Sequence, residues 1–138
     1  MNRNSKFLEY VGLQCSVVEK AKAIKISVKQ NNIIPRSDIN GTVTVNYRGR
    51  FDGVQVNTYI TGTNEQVHFV NVDGKTISLF VRLFVSRDEM GEKNSFDFTA
   101  RVEQTNLPKQ TSIRFRAAII QEHKEIESDV ILVPVAQV

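Results

Sequence analysis

Cysteine is almost absent from this chain, with Cys15 its single example, and tryptophan does not occur at all. One cysteine excludes a disulfide within the chain, and an unpaired thiol is typical of proteins in reducing compartments. We therefore expect a cytoplasmic location. Nothing near Cys15 in the sequence provides the basic surroundings that a reactive thiol needs, so it is not a candidate nucleophile.

Histidine is scarce as well, and neither His68 nor His123 has a second histidine or a cysteine at metal-ligand spacing. The chain also lacks the glycine patterns that bind phosphates or dinucleotides, and the serine motif of hydrolases. Its paired carboxylates fall in charged stretches, where such groups are usually solvated rather than arranged for acid–base chemistry. We expect no catalytic residue, no cofactor, no metal site and no enzymatic activity.

Charge of one sign is not strongly concentrated, because the formal net charge is +3 and positive residues are interspersed with negative ones along the chain. A nucleic-acid-binding domain usually gathers its Lys and Arg on one face, so we expect no specific nucleic-acid partner. The densest basic run consists of Lys20, Lys22, Lys25 and Lys29. This run favours a solvated strand face, and it is also a candidate contact for anionic groups.

Long apolar runs are missing too, since none approaches the ~20 residues needed to span a bilayer. The first residues are too polar for a signal peptide, and residues 1–6 are predicted to be disordered. Residues 7–19 predict a short helix that ends at Gly12, followed by a strand over 13–19. The apolar residues 7–13 beside the lysine run leave peripheral binding to an anionic membrane as an alternative function.

Alternation of apolar and polar residues dominates the rest of the 138-residue chain, whose length fits one domain spanning residues 1–138. Residues 96–103 and 113–120 alternate most clearly, on either side of a corner at Leu107-Pro108. Residues 24–28, 39–47, 54–60 and 67–72 predict further strands, and Asp73-Gly74 predicts a type I′ hairpin. Residues 130–138 predict a final strand, which we place at a sheet edge because Pro134 lacks an amide donor. About eight or nine short strands indicate an all-β protein with an immunoglobulin-like antiparallel β-sandwich.

Residues 77–85 alternate as one long predicted strand with an unusual distribution of aromatic residues. Its apolar face consists of Ile77, Leu79, Val81, Leu83 and Val85. The opposite face carries Ser78, Phe80, Arg82 and Phe84. Two phenylalanines on a solvent face need a cover, which a loop or the N-terminus of the chain would provide if they belong to the core. The alternative is that Phe80, Arg82 and Phe84 form a protein contact.

Three segments, in order, resemble the arrestin fold of arrestins, the retromer subunit Vps26 and the bacterial sporulation-control protein. The first is a strand over 24–28, a turn at Pro35, and the pattern Ile39-Asn-Gly-Thr-Val-Thr-Val. Family members tend to have a glycine where Ser37 stands here. The second runs over 51–62 and begins and ends near a glycine.

The third segment, residues 96–117, is similar to the family's Phe-x-Phe strand, Asn-Leu-Pro corner and following strand with Ile113, Phe115 and Ala117. The resemblance covers roughly residues 24–133 and implies a single arrestin-like β-sandwich domain. Arrestins and Vps26 have two such domains in tandem, whereas this chain has room for one. Functions that depend on two halves are therefore not carried over, and no receptor- or phosphate-binding residue is matched.

These observations lead to three functional hypotheses. The first is a non-catalytic scaffold or adaptor that binds proteins and forms a homodimer through an edge strand, since a dimer would restore a two-domain shape. The second is the peripheral anionic-membrane adaptor. The third is a sandwich that binds a small ligand or carbohydrate, which the absence of tryptophan makes less favoured.

Overall fold

The structure is a computed structural model that describes residues 22–103 and 107–136. These residues form nine strands and one short helix. In chain order the elements are β1 (Ile24–Val28), β2 (Ile39–Val45), β3 (Gly53–Ile60), β4 (Val67–Val72), β5 (Lys75–Phe80), β6 (Arg82–Ser86), α1 (Arg87–Met90), β7 (Ser95–Val102), β8 (Ser112–Gln121) and β9 (Lys124–Pro134). A 3-10 turn, Gly91–Lys93, follows α1.

The strands form two sheets that pack face to face. One sheet has five strands in the order β1-β2-β7-β4-β5, and the other has four in the order β6-β3-β8-β9. Every pairing between these strands is antiparallel. The predicted all-β antiparallel sandwich is therefore confirmed, and β9 lies at a sheet edge as Pro134 indicated.

The core lies between the sheets and is filled by the inward side of each alternating strand. Three buried rings cross it: Phe98 lies 5.6 Å from Phe69 and 6.3 Å from Phe115, measured between ring centroids. Phe98 fits because Gly41 stands opposite it on β2, where an added Cβ would come within 2.2 Å of the ring. The glycine therefore makes room for the central aromatic residue of the core.

Two-residue turns connect both hairpins, β4–β5 and β8–β9. Asp73 and Gly74 both have positive φ, at 49° and 84°, which confirms the predicted type I′ turn. Glu122 and His123 turn the second hairpin with φ of 49° and 67°. Strand β9 consequently begins at Lys124, so the prediction that the last strand starts at residue 130 was wrong.

The prediction of one continuous strand over 77–85 was also wrong. The chain bends at Val81, and β5 pairs with β4 in one sheet whereas β6 pairs with β3 in the other. Ile77 packs against the core, and Leu83 and Val85 are buried within it. Val81, by contrast, is 43% exposed, because it occupies the corner between the two sheets.

The charged stretch after β6 contains a helical turn that was not predicted. Ser86 accepts the backbone amide of Glu89 at 3.2 Å, and Glu89 accepts the amide of Ser86 at 2.9 Å, which together form a capping box. Met90 is buried beneath this turn. The predicted disorder of residues 1–6, the helix ending at Gly12, the strand over 13–19 and Lys20 all lie outside the described residues.

Candidate interaction edge

The two lateral edges of the sandwich differ. At one edge β1 lies beside β9, and the Ile26 amide on β1 donates to the Asp129 carboxylate on β9 at 3.0 Å. Further along, Ile33 donates to the Pro134 carbonyl and accepts from the Ala136 amide, each bond linking a loop to the end of β9. The bond between Ile26 and Asp129 thus joins the two sheets at this edge, and the Ile33 bonds attach a loop beside it.

Asp129 is buried, and its charge is balanced within the described structure. Burial by itself would raise the pKa of Asp129. Two hydrogen bonds, from Lys22 at 2.8 Å and from the Ile26 amide, lower the pKa, and so does the positive charge of Lys22. Together these effects outweigh the effect of burial. The pKa of Asp129 therefore lies below its ordinary value, and the carboxylate stays ionised at neutral pH.

At the opposite edge, β5 and β6 end the two sheets, and no strand of the described residues pairs with their outer sides. A groove of about 450 Å³ lies between them. Its apolar lining comes from Val72, Ile77, Phe80, Leu83, Phe84 and Val85. Its charged lining comes from Asp73, Lys75, Arg82 and Glu89. We call this edge, with its groove, the open edge.

The open edge brings together the three residues that the sequence proposed as a protein contact. Phe80, on β5, is 49% exposed although it pairs with fully buried Phe69. Phe84, on β6, is 51% exposed, and its ring lies over Gly53, where an added Cβ would come within 2.5 Å. Arg82 joins them in lining the groove. No described residue covers the two rings enough to bury them.

The backbone amides and carbonyls of β6 point alternately towards β3 and away from it. The Arg87 amide donates to the Asp52 carbonyl at 3.0 Å, in the same register that pairs Gly53 with Ser86. Because bonding residues alternate in an antiparallel ladder, Leu83 and Val85 direct their amides and carbonyls towards β3. Phe84 consequently directs both of its backbone groups away from β3, to the open edge.

The outer faces of the two sheets also differ in composition, which reasoning from the sequence did not detect. The five-stranded sheet presents Lys25, Thr42, Thr44, Asp97 and Thr99, a polar face. The four-stranded sheet presents Tyr59, Arg82, Phe84, Arg114, Arg116, Val130 and Leu132. The Arg114 guanidinium lies 5.6 Å from the Tyr59 ring centroid. Strand pairing decides which apolar residues share this face, so only the assembled sheet reveals it.

The lysines proposed as a contact for anionic groups do not form one patch in the described part of the chain. Lys22 bonds to Asp129, and Lys25 stands opposite Thr44 on the polar outer face. Lys29 follows β1 and is exposed, and its amide donates to the Asn40 carbonyl. Lys20 falls outside the described residues. The lysines that can be located are therefore spread along β1 rather than converging on one site.

Chemical sites are sparse in the part of the chain that the structure describes. No group of three or more His, Cys, Asp or Glu side chains there could hold a metal ion. A polar depression of about 290 Å³ crosses the five-stranded sheet, but Thr42 and Asp97 within it bond to each other at 2.7 Å. Among the helices described, none has the length and apolar character needed to cross a membrane.

Comparisons with known proteins show similarity of fold alone. No protein-family model and no curated protein sequence matches the chain. Among solved structures, it is similar to the bacterial hydrophobin BslA, with 17% identity over 82% of this chain and 96% of that one and a TM-score of 0.48. The human F-spondin reeler domain has 9% identity over 86% and 93% of the chains, with a TM-score of 0.46.

The SafD adhesin of Salmonella is a third such structure, with 13% identity over 83% of this chain and 97% of that one and a TM-score of 0.46. At these values the likenesses carry no functional argument. None of the three structures named is an arrestin, and the arrestin resemblance stays a prediction.

Proposed function

We propose that this chain is a non-catalytic protein-interaction module whose contact surface is the open edge, and that its partner is a second copy of the chain. The observation that carries the proposal is the pair of half-exposed rings, Phe80 and Phe84, on either side of an apolar groove. Exposed aromatic residues next to an arginine are the composition found at the energetic centres of protein interfaces.

The contrast between the two lateral edges supports this location. At the β1/β9 edge the Ile26 amide is bonded to Asp129 and the Pro134 carbonyl to Ile33, so these two backbone groups are not available to a partner strand. At the open edge, β5 and β6 belong to different sheets and each has one side without a partner strand in the described residues. Such edges pair readily with another chain.

Light scattering on a sizing column, over a series of protein concentrations, tests the proposal. We expect the wild-type chain to be a dimer and the Phe80→Arg/Phe84→Arg variant to be a folded monomer. The variant should fold because both replaced side chains are already about half exposed. Circular dichroism and thermal unfolding of the variant establish that the monomer is native.

Ile34→Arg is the matched control, since Ile34 is 56% exposed but lies in the loop between β1 and β2. It should leave the dimer unchanged. A wild-type chain that stays monomeric at the highest concentration reached would contradict self-association. A dimer that survives the double substitution would move the interface away from the open edge.

A further inference from the structure

Of the four strands that end a sheet, three carry features that hinder pairing with another chain over part of their length. On β1, the Ile26 amide that points away from β2 is bonded to Asp129. On β9, Pro134 has no amide to donate, and Ile33 bonds to its carbonyl. On β5, the register with β4 shifts after Phe69, and Lys75 begins the strand. Bulges, prolines and lysines are the usual means of protecting an exposed edge.

Strand β6 has none of these features. It pairs with β3 without a register shift, and it contains neither proline nor lysine. Its Leu83 and Val85 are buried beneath it, so the strand is held firmly against the core. Strand β6 is therefore anchored to the core on one side while its other side has no partner strand in the described residues.

Three residues of β6 have backbone groups that are directed away from β3. The ladder alternation that directs the amide and carbonyl of Phe84 outwards also applies to Arg82 and Ser86. The Ser86 amide, however, is already bonded to Glu89 in the capping box. Arg82 and Phe84 therefore remain to bond a partner strand.

We propose that β6 pairs antiparallel with β6 of a second copy, around a two-fold axis beside Leu83, an inference that rests on the self-association proposed above. In this register Arg82 of each copy stands opposite Phe84 of the other, and each residue both donates and accepts a backbone hydrogen bond. No outward backbone group of these two residues is left unpaired, and the Ser86 amide stays with its cap.

The side chains are self-complementary in this register. Arg82 and Phe84 lie on the same outer face of β6, two residues apart, so reversal about Leu83 places each guanidinium beside a ring of the other copy. Arginine over an aromatic ring is a favourable pair, and like charges do not stand directly opposite each other. Because of the two-fold axis, the contact between Arg82 of one copy and Phe84 of the other occurs twice, as in any isologous dimer.

Substitutions that change the charges at positions 82 and 84 test the register of the proposed pairing. Phe84→Arg places a new guanidinium opposite Arg82 of the second copy, so we expect the dimer dissociation constant to rise by at least about tenfold. Adding Arg82→Glu places a carboxylate opposite that new guanidinium, and we expect the double variant to recover the dimer to within about threefold of wild type. Sedimentation equilibrium measures all three proteins, with Arg82→Glu alone as the fourth.

The outcomes separate this inference from the function on which it rests. Recovery in the double variant supports the pairing, and it also shows that the fold tolerates the Phe84→Arg substitution. A wild-type dimer whose double variant is as weak as Phe84→Arg overturns the pairing and leaves self-association standing. Persistence of the dimer in Phe84→Arg overturns the pairing as well. A monomeric wild-type chain overturns both.

Discussion

The Asp129 carboxylate on β9 accepts the backbone amide of Ile26 on β1 at 3.0 Å, although the two strands belong to different sheets. This bond spans 103 residues of sequence and satisfies an amide that an edge strand would otherwise expose. One buried carboxylate thereby links the two edge strands and binds the outward amide of Ile26.

Replacing Asp129 with Asn should lower the free energy of unfolding at neutral pH by about 1–3 kcal/mol, because a charged hydrogen-bond acceptor in a buried site is lost. The pKa of Asp129 is lowered from its ordinary value of 3.8, so the native state favours the ionised form. Ionised Asp129 therefore contributes its full stabilisation of the native state above pH 3.8. This stabilisation disappears as the pH falls through the lower pKa of the native state. Urea unfolding across an acid series should therefore show the two proteins converging at low pH.

Asp38→Asn is the control for this comparison, since the ion pair between Asp38 and Arg101 is exposed to solvent. It should change stability much less than Asp129→Asn does. Equal effects of the two substitutions, or a difference between wild type and Asp129→Asn that does not depend on pH, would contradict the role assigned to Asp129.

Gly41→Ala should destabilise the fold by about 1–3 kcal/mol, because overpacking a filled core displaces well-packed side chains. The new Cβ would stand within 2.2 Å of the Phe98 ring, which itself contacts Phe69 and Phe115. Gly74→Asn is the matched control, as Asn tolerates the positive φ of a type I′ turn and nothing lies within 4 Å. Thermal unfolding that ranks the two variants in the opposite order would refute this account.

Phe84→Pro should abolish the dimer, whereas Phe84→Thr should only weaken it. Both substitutions remove the ring, but proline alone removes the amide that the pairing of β6 with a second β6 requires. The ladder to β3 is spared in both, because that amide points away from β3. Light scattering at matched concentrations compares them, with Val85→Pro as the variant in which the ladder itself should fail. Equal dimer strength in the Pro and Thr variants would argue for a contact made by side chains only.

Flotation with anionic vesicles tests the second functional hypothesis. We expect weak binding that is lost at physiological salt, since Lys22 is bonded to Asp129 and Lys25 and Lys29 are not part of a converging patch. Lys25→Glu/Lys29→Glu should then make little difference. Salt-resistant binding that this double substitution removes would restore the membrane hypothesis.

The alternation of apolar and polar residues was sufficient to predict the sandwich class and most of the strands from residue 24 onwards, because each strand buries one face, but it missed the first half of β9. It did not predict the bend at Val81. The same alternation continues across that bend, with apolar residues at every second position from Ile77 to Val85. No glycine or proline marks the bend in the sequence. The bend is decided by pairing, with β4 on one side and β3 on the other, and those partners are distant in sequence.

The candidate site was predicted in part. Phe80 and Phe84 stood out because large rings on a polar face require an explanation, and the structure leaves them half exposed. Asp129 gave no such signal, since its partner Ile26 is more than a hundred residues away. The helix after β6 could have been found, because Ser86 and Glu89 have the spacing of a capping box.

The bend at Val81 also has a mechanical consequence. A single residue, Val81, connects β5 to β6, so tension along the backbone at this corner would act on both strands. Each strand is hydrogen-bonded to a different sheet, and peeling one from its neighbour strains the other's attachment at once. Force applied to the backbone at this corner would therefore act on both layers of the sandwich rather than on one sheet alone.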